Sequence, residues 1–377
     1  MAYEITRIGD ICKKVCSGGT PTSSNPDYYD GGIPWLNTNE VNFCNIYSTN
    51  KTISEDGLNH SAAKYIPVNS IIVAMYGVTA GKCAVAKIPL TTNQACCNLI
   101  IDEEKAHYQY VYHFLKLQSD NLNKLANGGA QQNLNSIIIK KFKIALPALD
   151  IQHRIASILS AYDNLIENNN KRIRLLEQMA ENLYKEWFVR FRFPGHENVE
   201  FENGLPKGWK VMKLDKILTV RYGKDHSKIE DGDIPILGSG GIMRFGNKEL
   251  YASESVLIPR KGSLNNIMYI DEPFWTVDTM FFTEMKYKNI AKYIYYVLSG
   301  IDMESFNSGA ALPSMTTNIL NHFKVILPSE DVLALFDEKV ELLFSQKKKL
   351  IQQNTLLSRQ RDLLLPRLMS GKLEVKV

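Results

Sequence analysis

Several loops of this chain combine glycine with amide, hydroxyl or basic side chains, a mixture suited to hydrogen bonding with nucleic acids. Glycine lets the backbone approach a phosphate closely, and Asn, Gln, Arg and Lys can form paired hydrogen bonds with adenine or guanine edges. These loops occupy residues 17–24, 77–82, 127–133, 222–228, 238–241 and 259–265. Each loop alone could be an ordinary turn, but their recurrence at equivalent places in both halves of the chain favours binding.

The candidate DNA-binding side chains are the polar, basic and aromatic residues of these loops. In the two halves of the chain they are Thr20, Ser23, Tyr76, Lys82, Gln131, Gln132 and Asn133, and then Tyr222, Lys224, Ser239, Arg260, Lys261 and Asn265. The amides of Gln131, Gln132 and Asn133 are the best candidates for adenine contacts in the first half. Arg260, Lys261 and Asn265 are the best candidates in the second.

No catalytic motif is complete in the sequence. Residues 25–28 read Asn-Pro-Asp-Tyr, which differs at its third position from the Asn-Pro-Pro-Tyr loop of amino-group DNA methyltransferases. The chain contains neither a GxxxxGK[ST] phosphate loop nor an HExxH pattern, and its seven histidines are scattered. We therefore predict no catalytic residue, although distant carboxylates could still assemble a metal site.

The cysteines do not indicate a metal centre. All six lie within the first 97 residues, and none belongs to a CxxC pair. This distribution predicts buried free thiols and neither a zinc site nor a disulfide framework. No metal and no cofactor is expected in this chain.

Composition indicates a globular protein of two or three domains. The chain has 377 residues, of which 45% are hydrophobic and 22% charged, and its net charge is +4. No apolar run approaches the roughly 18 residues of a membrane span, and the first residues lack the apolar core of a signal peptide. These features predict a cytoplasmic protein. No segment of the chain is basic enough to indicate DNA binding by itself. The argument for DNA binding therefore depends on how the domains are arranged along the chain.

The chain is a tandem repeat. Residues 142–147, Phe-Lys-Ile-Ala-Leu-Pro, return as Phe-Lys-Val-Ile-Leu-Pro at 323–328, an offset of 181. Upstream the offset grows to 183, 185 and 201, at residues 110–115, 70–73 and 33–34. Insertions therefore lie in the first part of each repeat, whose short apolar runs divided by Gly and Pro predict small sheets.

Each repeat ends in a segment with seven-residue apolar periodicity, which is typical of helices that pair. The periodic positions are Ile155, Tyr162, Asn169, Leu176 and Leu183 in the first repeat and Phe336, Leu343, Leu350, Leu357 and Leu364 in the second. A second row three residues further along the first helix is formed by Ile158, Leu165 and Met179. The alternative is that each helix packs only on its own domain. Asn169 either fixes the register of the pair or lies at an exposed midpoint.

The predicted fold class is α+β, with two tandem α/β domains and two long helices that pair as an antiparallel coiled coil. The boundaries are 1–148 for the first domain, 149–190 for the central helix, 191–328 for the second domain, and 329–377 for the last helix and tail. About 39 helical residues would make a rod of roughly 58 Å, longer than the ~34 Å turn of duplex DNA. This pseudo-twofold dumbbell would suit two unlike half-sites.

Several motifs resemble the specificity subunit of type I restriction-modification systems. They are the opening Ile-Gly-Asp-Ile at 8–11, Ser-Gly-Gly-Thr-Pro at 17–21, Ile-Pro-Trp at 33–35, the two Leu-Pro pairs at 146–147 and 327–328, and the tail at 363–373. The second repeat departs from this pattern, because it has Tyr-Gly-Lys at 222–224 in place of the glycine loop and Val-Leu-Ala-Leu at 332–335 in place of Gln-His-Arg.

The resemblance implies a non-catalytic subunit that binds double-stranded DNA with a bipartite, asymmetric site. Each domain would read one half-site, and the helices would set the spacer and dock two methyltransferase subunits. Those partners would use S-adenosylmethionine to methylate adenine, and a motor-nuclease subunit would use ATP and Mg²⁺. Two rival hypotheses are a self-contained duplicated methyltransferase or nuclease, and a purely structural adaptor.

Overall fold

The computed structural model describes residues 3–125, 134–306 and 314–375. The chain divides into two compact units. Unit 1 is Met1–Asn169 with Gln352–Val377, and unit 2 is Asn170–Ile351. The division falls inside two long helices, so that each unit contains part of both. The four-segment boundaries predicted from the sequence remain a prediction.

Unit 1 is built on mostly antiparallel sheets. Its strands are β1 (Glu4–Arg7), β2 (Cys12–Ser17), β3 (Tyr29–Leu36), β4 (Cys44–Ile46), β5 (Lys51–Ile53), β6 (Ile71–Ala74), β7 (Cys83–Ala86), β8 (Thr91–Thr92), β9 (Cys96–Ile101) and β10 (Lys143–Leu146). Its helices are α1 (Glu55–Asn59), α2 (Tyr108–Leu117), α3 (Ser119–Lys124), α4 (Ser136–Lys141) and the first part of α5 (Leu149–Tyr184). The sheets have the orders β2-β9-β6-β7-β4, β5-β3-β8 and β1-β10, in which β3 with β8 and β4 with β7 are the parallel pairs.

Unit 2 repeats this plan in a shorter form. Its strands are β11 (Phe201–Glu202), β12 (Leu205–Pro206), β13 (Lys210–Lys213), β14 (Leu218–Tyr222), β15 (Ile234–Gly238), β16 (Gly241–Gly246), β17 (Ser255–Pro259), β18 (Met268–Ile270), β19 (Trp275–Thr276), β20 (Met280–Met285) and β21 (Lys324–Leu327). Its helices are α6 (Leu214–Ile217), α7 (Ala291–Ser299), α8 (Thr317–Asn321) and the first part of α9 (Glu330–Met369). The sheet orders β14-β20-β17-β18, β16-β15-β19 and β13-β21 correspond to those of unit 1.

The repeat extends to single hydrogen bonds. Tyr110 Oη donates to Ala145 O over 2.7 Å, and Tyr293 Oη donates to Ile326 O over 2.6 Å. These bonds anchor α2 to β10 and α7 to β21, at matching positions. The predicted insertions also lie where the drifting offset indicated, because β4, β5 and α1 separate β3 from β6, whereas β16 alone separates β15 from β17.

Each unit has its own apolar core. In unit 1, the sheet formed by β6 and β9 packs against α2 and α5, and the end of α9 contributes Leu365, Leu368 and Met369 to the same cluster. In unit 2, an aromatic cluster centred on Phe188 and Phe336 fills the space between α5, α7 and α9. In the described part of the chain, no helix is both long and apolar enough to cross a membrane.

The two long helices pack antiparallel in both units. In unit 1, Arg361 contacts Asp163 and Asn354 contacts Asn169, so that partner numbers fall as helix α5 advances. In unit 2, Lys347 Nζ lies 2.7 Å from Glu177. These cross-helix contacts confirm the predicted antiparallel pair. All ten predicted pairing positions are buried or half-buried, and their individual roles in pairing remain predictions.

The second apolar row was predicted wrongly. Ile158, Leu165 and Met179 are 37%, 49% and 55% exposed. The seam instead uses the row four residues beyond each heptad position, at Leu159, Ile166, Ile173 and Ala180, whose side chains are buried or half-buried. Alternating steps of four and three residues keep both rows on one side of a helix, and this is the usual coiled-coil spacing.

Asn169 is buried in the helix seam and is not an exposed midpoint. Its side chain is 4% exposed. Its Nδ2 donates to Gln353 Oε1 over 3.0 Å and to Asn354 Oδ1 over 2.9 Å. A buried amide bonded across a seam penalises shifted pairings, because a shift would leave it unsatisfied.

Candidate nucleic-acid interface

The loops of unit 2 that carry candidate residues meet at one edge of its sheets. The loop after β14 and the loop after β17 both bind the chain where β20 begins. Gly223 N–H donates to Met280 O over 2.9 Å, and Arg260 N–H donates to Thr279 O over 2.8 Å. The structure thus brings together the loops that carry Tyr222, Lys224, Ser239, Arg260, Lys261 and Asn265.

Interactions within this edge separate structural residues from accessible ones. Asn265 uses both ends of its amide, because Nδ2 donates to Asp302 Oδ1 and Oδ1 accepts from Met303 N–H. Asn266, which the sequence did not single out, donates to Ser239 O over 2.8 Å and joins two loops. Lys224 and Lys261 are exposed, so their ammonium groups are accessible to a phosphate backbone.

The first loop of each unit approaches a neighbouring strand too closely for any side chain. A Cβ added at Gly18 would lie 2.0 Å from a backbone oxygen of β8, and one added at Gly223 would lie 2.0 Å from Val277 O. The glycine of the first repeat therefore has a counterpart in Tyr-Gly-Lys of the second. Unit 2 lacks the Gly-Gly-Thr-Pro motif, but its loop still approaches the neighbouring backbone closely at Gly223.

A tryptophan fixes the same loop in both units from two different strands. Trp35 Nε1, on β3, donates to Gly19 O over 2.9 Å. Trp275 Nε1, on β19, donates to Lys224 O over 3.0 Å. Both indoles hold the carbonyl that follows the close-packed glycine. The strand pair β3–β8 of unit 1 corresponds to β15–β19 of unit 2. The tryptophan lies on the first strand of this pair in unit 1 and on the second in unit 2, yet it bonds the corresponding loop carbonyl.

The corresponding edge of unit 1 is less basic. Thr20 hydrogen-bonds Gln94 across two loops. Gln94 is exposed and was missed by the sequence analysis, because it lies in a short turn without glycine. Lys82 Nζ donates to Asn42 Oδ1 over 2.9 Å, while Ser23 and Tyr76 are exposed.

The candidates Gln131, Gln132 and Asn133 lie outside the described residues. The next residue, Leu134, donates its N–H to Met75 O over 2.9 Å, directly before Tyr76. The structure leaves the roles of all the candidate DNA contacts as predictions.

Comparison with known proteins identifies the group to which the chain is related. A family model described as the type I restriction modification DNA specificity domain matches residues 2–178 and 206–353. The chain belongs to this family.

Individual relatives of the type I specificity family agree with this assignment. The MjaIX specificity subunit of Methanocaldococcus jannaschii is 28% identical over 414 residues, covering 99% of this chain and 94% of the relative. The EcoR124I/EcoR124II specificity subunit of Escherichia coli is 28% identical over 199 residues, covering 51% and 49%. The solved type I S subunit of M. genitalium has a TM-score of 0.64 at 19% identity, covering 97% and 96%. The predicted fold class is thus confirmed.

The structure of this type I specificity-family member also reveals polar clusters on the long helices that the sequence did not indicate. In unit 1, Asp163 of α5 lies 2.6 Å from Arg361 and 3.4 Å from Lys116, and 3.8 Å from the buried ring of His113. Burial lowers the pKa of His113 to about 4, although Asp163 partly opposes this shift.

In unit 2, Lys292 of α7 forms the equivalent connection to α9. Its ammonium lies 2.8 Å from Asp337 and 3.0 Å from Glu341, and its side chain is 4% exposed. Burial lowers the pKa of Lys292, but the hydrogen bonds that its ammonium donates to these carboxylates outweigh that effect and raise the pKa overall. The two clusters connect corresponding helices, but their residues are not related by the sequence repeat. The repeat therefore gave no sign of them.

All six cysteines of this family member are unpaired. Cys83, Cys96 and Cys97 are buried and the others half-buried. Burial raises the pKa of Cys12 and Cys97 to about 12, which disfavours the thiolate that metals and oxidants require. Three of the six thiols are thus buried as predicted, and the other three are half-buried.

Proposed function

We propose that this chain is the DNA specificity subunit of a type I restriction-modification complex and that it has no catalytic activity of its own. The observation that carries the proposal is the pair of corresponding loop edges. Both are built on the same backbone framework, yet one presents Thr20, Gln94 and Tyr76 and the other Tyr222, Arg260 and Lys261. A shared framework with unlike side chains is what two different half-sites require.

Each unit would read one half of a bipartite, asymmetric duplex site. Exposed lysines would contact phosphates and position the protein, while amide, hydroxyl and guanidinium groups would contact base edges. Because the two edges differ in charge and side-chain type, the two half-sites should differ in sequence. Backbone hydrogen bonds within each edge hold the loops in place, which reduces the entropy lost on binding.

The paired helices would set the length of the spacer between the half-sites. Helices are stiff, and Asn169 penalises other registers of this pair. They would also dock two methyltransferase subunits, which would bring S-adenosylmethionine and methylate adenine. A motor-nuclease subunit with ATP and Mg²⁺ would complete the restriction enzyme. The location of such a complex would be the cytoplasm.

Methyl transfer measured with and without partners tests the proposal. We expect no incorporation of labelled methyl groups into DNA by the purified chain, and incorporation when its methyltransferase subunit is added. Binding of the assembled complex to DNA should weaken as salt rises, because phosphate contacts release counterions. Methyl transfer or DNA cleavage by the pure chain would instead support a self-contained enzyme. A complex that forms without any sequence preference on DNA would support an adaptor.

A further inference from the structure

We propose that Arg260 reads a guanine in the half-site recognised by unit 2, with Tyr222 as its positioning residue. The inference rests on the proposed function and adds the chemical identity of one recognised base. It derives from a guanidinium held over an aromatic ring at the loop edge, a feature that is absent from the equivalent position of unit 1.

The backbone of Arg260 is fixed on both sides. Its N–H donates to Thr279 O over 2.8 Å, and its carbonyl accepts from Met315 N–H over 2.9 Å. It directly follows Pro259, which ends a fully buried strand. The side chain therefore starts from a rigid point, as precise base contacts require.

The guanidinium is oriented by two further contacts. Its Cζ lies 5.3 Å from the centroid of the Tyr222 ring, and Nη1 donates to Asp278 O over 3.2 Å. The Tyr222 ring packs edge-on against buried Phe281, with centroids 5.0 Å apart, and remains half exposed. A guanidinium has five N–H groups, and the bond to Asp278 uses one of them.

An arginine fixed in this way suits guanine better than other bases. Its planar fork matches the O6 and N7 acceptors of guanine in the major groove, whereas adenine presents a donor in place of O6. Lysine has a single point charge and cannot reproduce the fork. The attraction between the guanidinium and the ring keeps the fork aimed before DNA arrives, which lowers the entropic cost of the contact.

The same framework in unit 1 carries different side chains. Met75 N–H donates to Ala95 O and its carbonyl accepts from Leu134 N–H, so Met75 occupies the position of Arg260. Met75 is buried, and β2 ends in Ser17 where β14 ends in Tyr222. Unit 1 therefore has no arginine–tyrosine pair at this position, and the guanine read by the pair should lie in the half-site of unit 2.

Genome-wide mapping of adenine methylation tests the proposal, with the chain co-expressed with its methyltransferase subunit. The wild type should require guanine at one position of one half-site. R260K and R260M should relax that position by roughly 5- to 150-fold in the preference for guanine, the range expected for a bidentate contact, and leave the other half-site unchanged. The control R221K changes an exposed arginine of β14, next to Tyr222, that pairs with Glu284, and it should keep the wild-type motif.

Tyr222 variants separate positioning from folding. Y222F keeps the ring and should retain the motif, whereas Y222L removes the ring and should weaken the same guanine preference as R260K. Unfolding midpoints of all variants are measured in parallel. An unchanged motif in both Arg260 variants would overturn the proposal and leave the proposed function intact. So would loss of methylation at every site in variants with normal midpoints. A wild-type complex without any sequence motif would defeat the proposed function itself.

Discussion

Buried ionisable side chains link a domain helix to a long helix in each unit. In unit 1 these are His113 and Lys116 with Asp163, and in unit 2 Lys292 with Asp337 and Glu341. A buried charge that loses its partner is costly, whereas an exposed pair contributes little. Single substitutions in these clusters should therefore act on stability far more than their surface counterparts.

The pH dependence of unfolding tests His113. The pKa of His113 is lowered by burial from 6.5 to about 4, so that between these values the unfolded chain binds a proton that the folded chain excludes. Stability is therefore lost as pH falls through this window. H113N should abolish up to about 3 kcal/mol of that loss. The measurement is the urea midpoint from pH 7 to pH 4, and H60N, at an exposed histidine of unit 1, should follow the wild-type curve. An H113N curve parallel to the wild type would refute this assignment.

Lys292 should be essential to the stability of unit 2. K292M leaves Asp337 and Glu341 close together without their cation, and because Glu341 is about half exposed we expect a cost of about 1–3 kcal/mol. The matched control is K348M, which removes an ammonium on α9, the helix that Lys292 contacts; this side chain is 43% exposed, and its loss should change stability by less than about 0.5 kcal/mol. Equal effects of the two variants in urea unfolding would contradict the prediction.

At the scale of single residues, the sequence predicted which residue types suit DNA binding but not which residues contact one another in the folded chain. It selected Arg260 because basic groups beside glycine suit DNA, yet nothing in the pattern showed that Tyr222 would lie under it. It also selected Asn265, whose side-chain amide is already hydrogen-bonded to Asp302 and Met303. Such pairings join residues that are distant in sequence, so only the folded chain shows which polar groups remain accessible.

The long helices are the elements that the sequence predicted best. Seven-residue spacing is a direct consequence of helical geometry, and all ten heptad positions are buried or half-buried. The error in the second row has a physical cause, because Ile158 and Leu165 are as apolar as the seam residues Leu159 and Ile166. Hydrophobicity alone did not separate the two rows, whereas alternating steps of four and three residues would have done so.

Asn169 should contribute to the stability of this helix pair. N169A removes a buried donor from Gln353 and Asn354, and we expect a loss of about 1–2 kcal/mol. N168A, at an exposed position one residue earlier on the same helix, is the control and should be close to neutral. Thermal unfolding of both variants gives the answer. An N169A protein as stable as the control would show that the amide makes no net contribution.

For the molecule as a whole, the tandem repeat predicted the architecture because duplicated sequence specifies duplicated structure. The bases that are recognised do not follow from the same pattern. They depend on loop conformations and on DNA shape, which composition does not encode. The drifting offset located the insertions that distinguish unit 1 from unit 2, but it did not show that they form β4 and α1.

The spacing role of the helices can be tested by length. One heptad inserted after Asn169 and a matching heptad inserted after Ile351 preserve the antiparallel register and add about 10.5 Å of helix. At about 3.4 Å per base pair, the gap between the half-sites should grow by about three base pairs. Methylation mapping of the variant measures the gap. Insertion in one helix alone should disrupt the pair, and an unchanged gap after the matched insertion would rule out the spacing role.

The central claim is that this chain contains two independent readers of unlike sequences. Exchanging residues 1–148 for those of a relative with a different site, and mapping adenine methylation in cells that contain the same methyltransferase subunit, tests it most directly. We predict a bipartite motif for the native chain and, for the exchanged chain, a new sequence in one half-site beside an unaltered second half-site. A continuous motif, or a simultaneous change in both halves, would contradict the account.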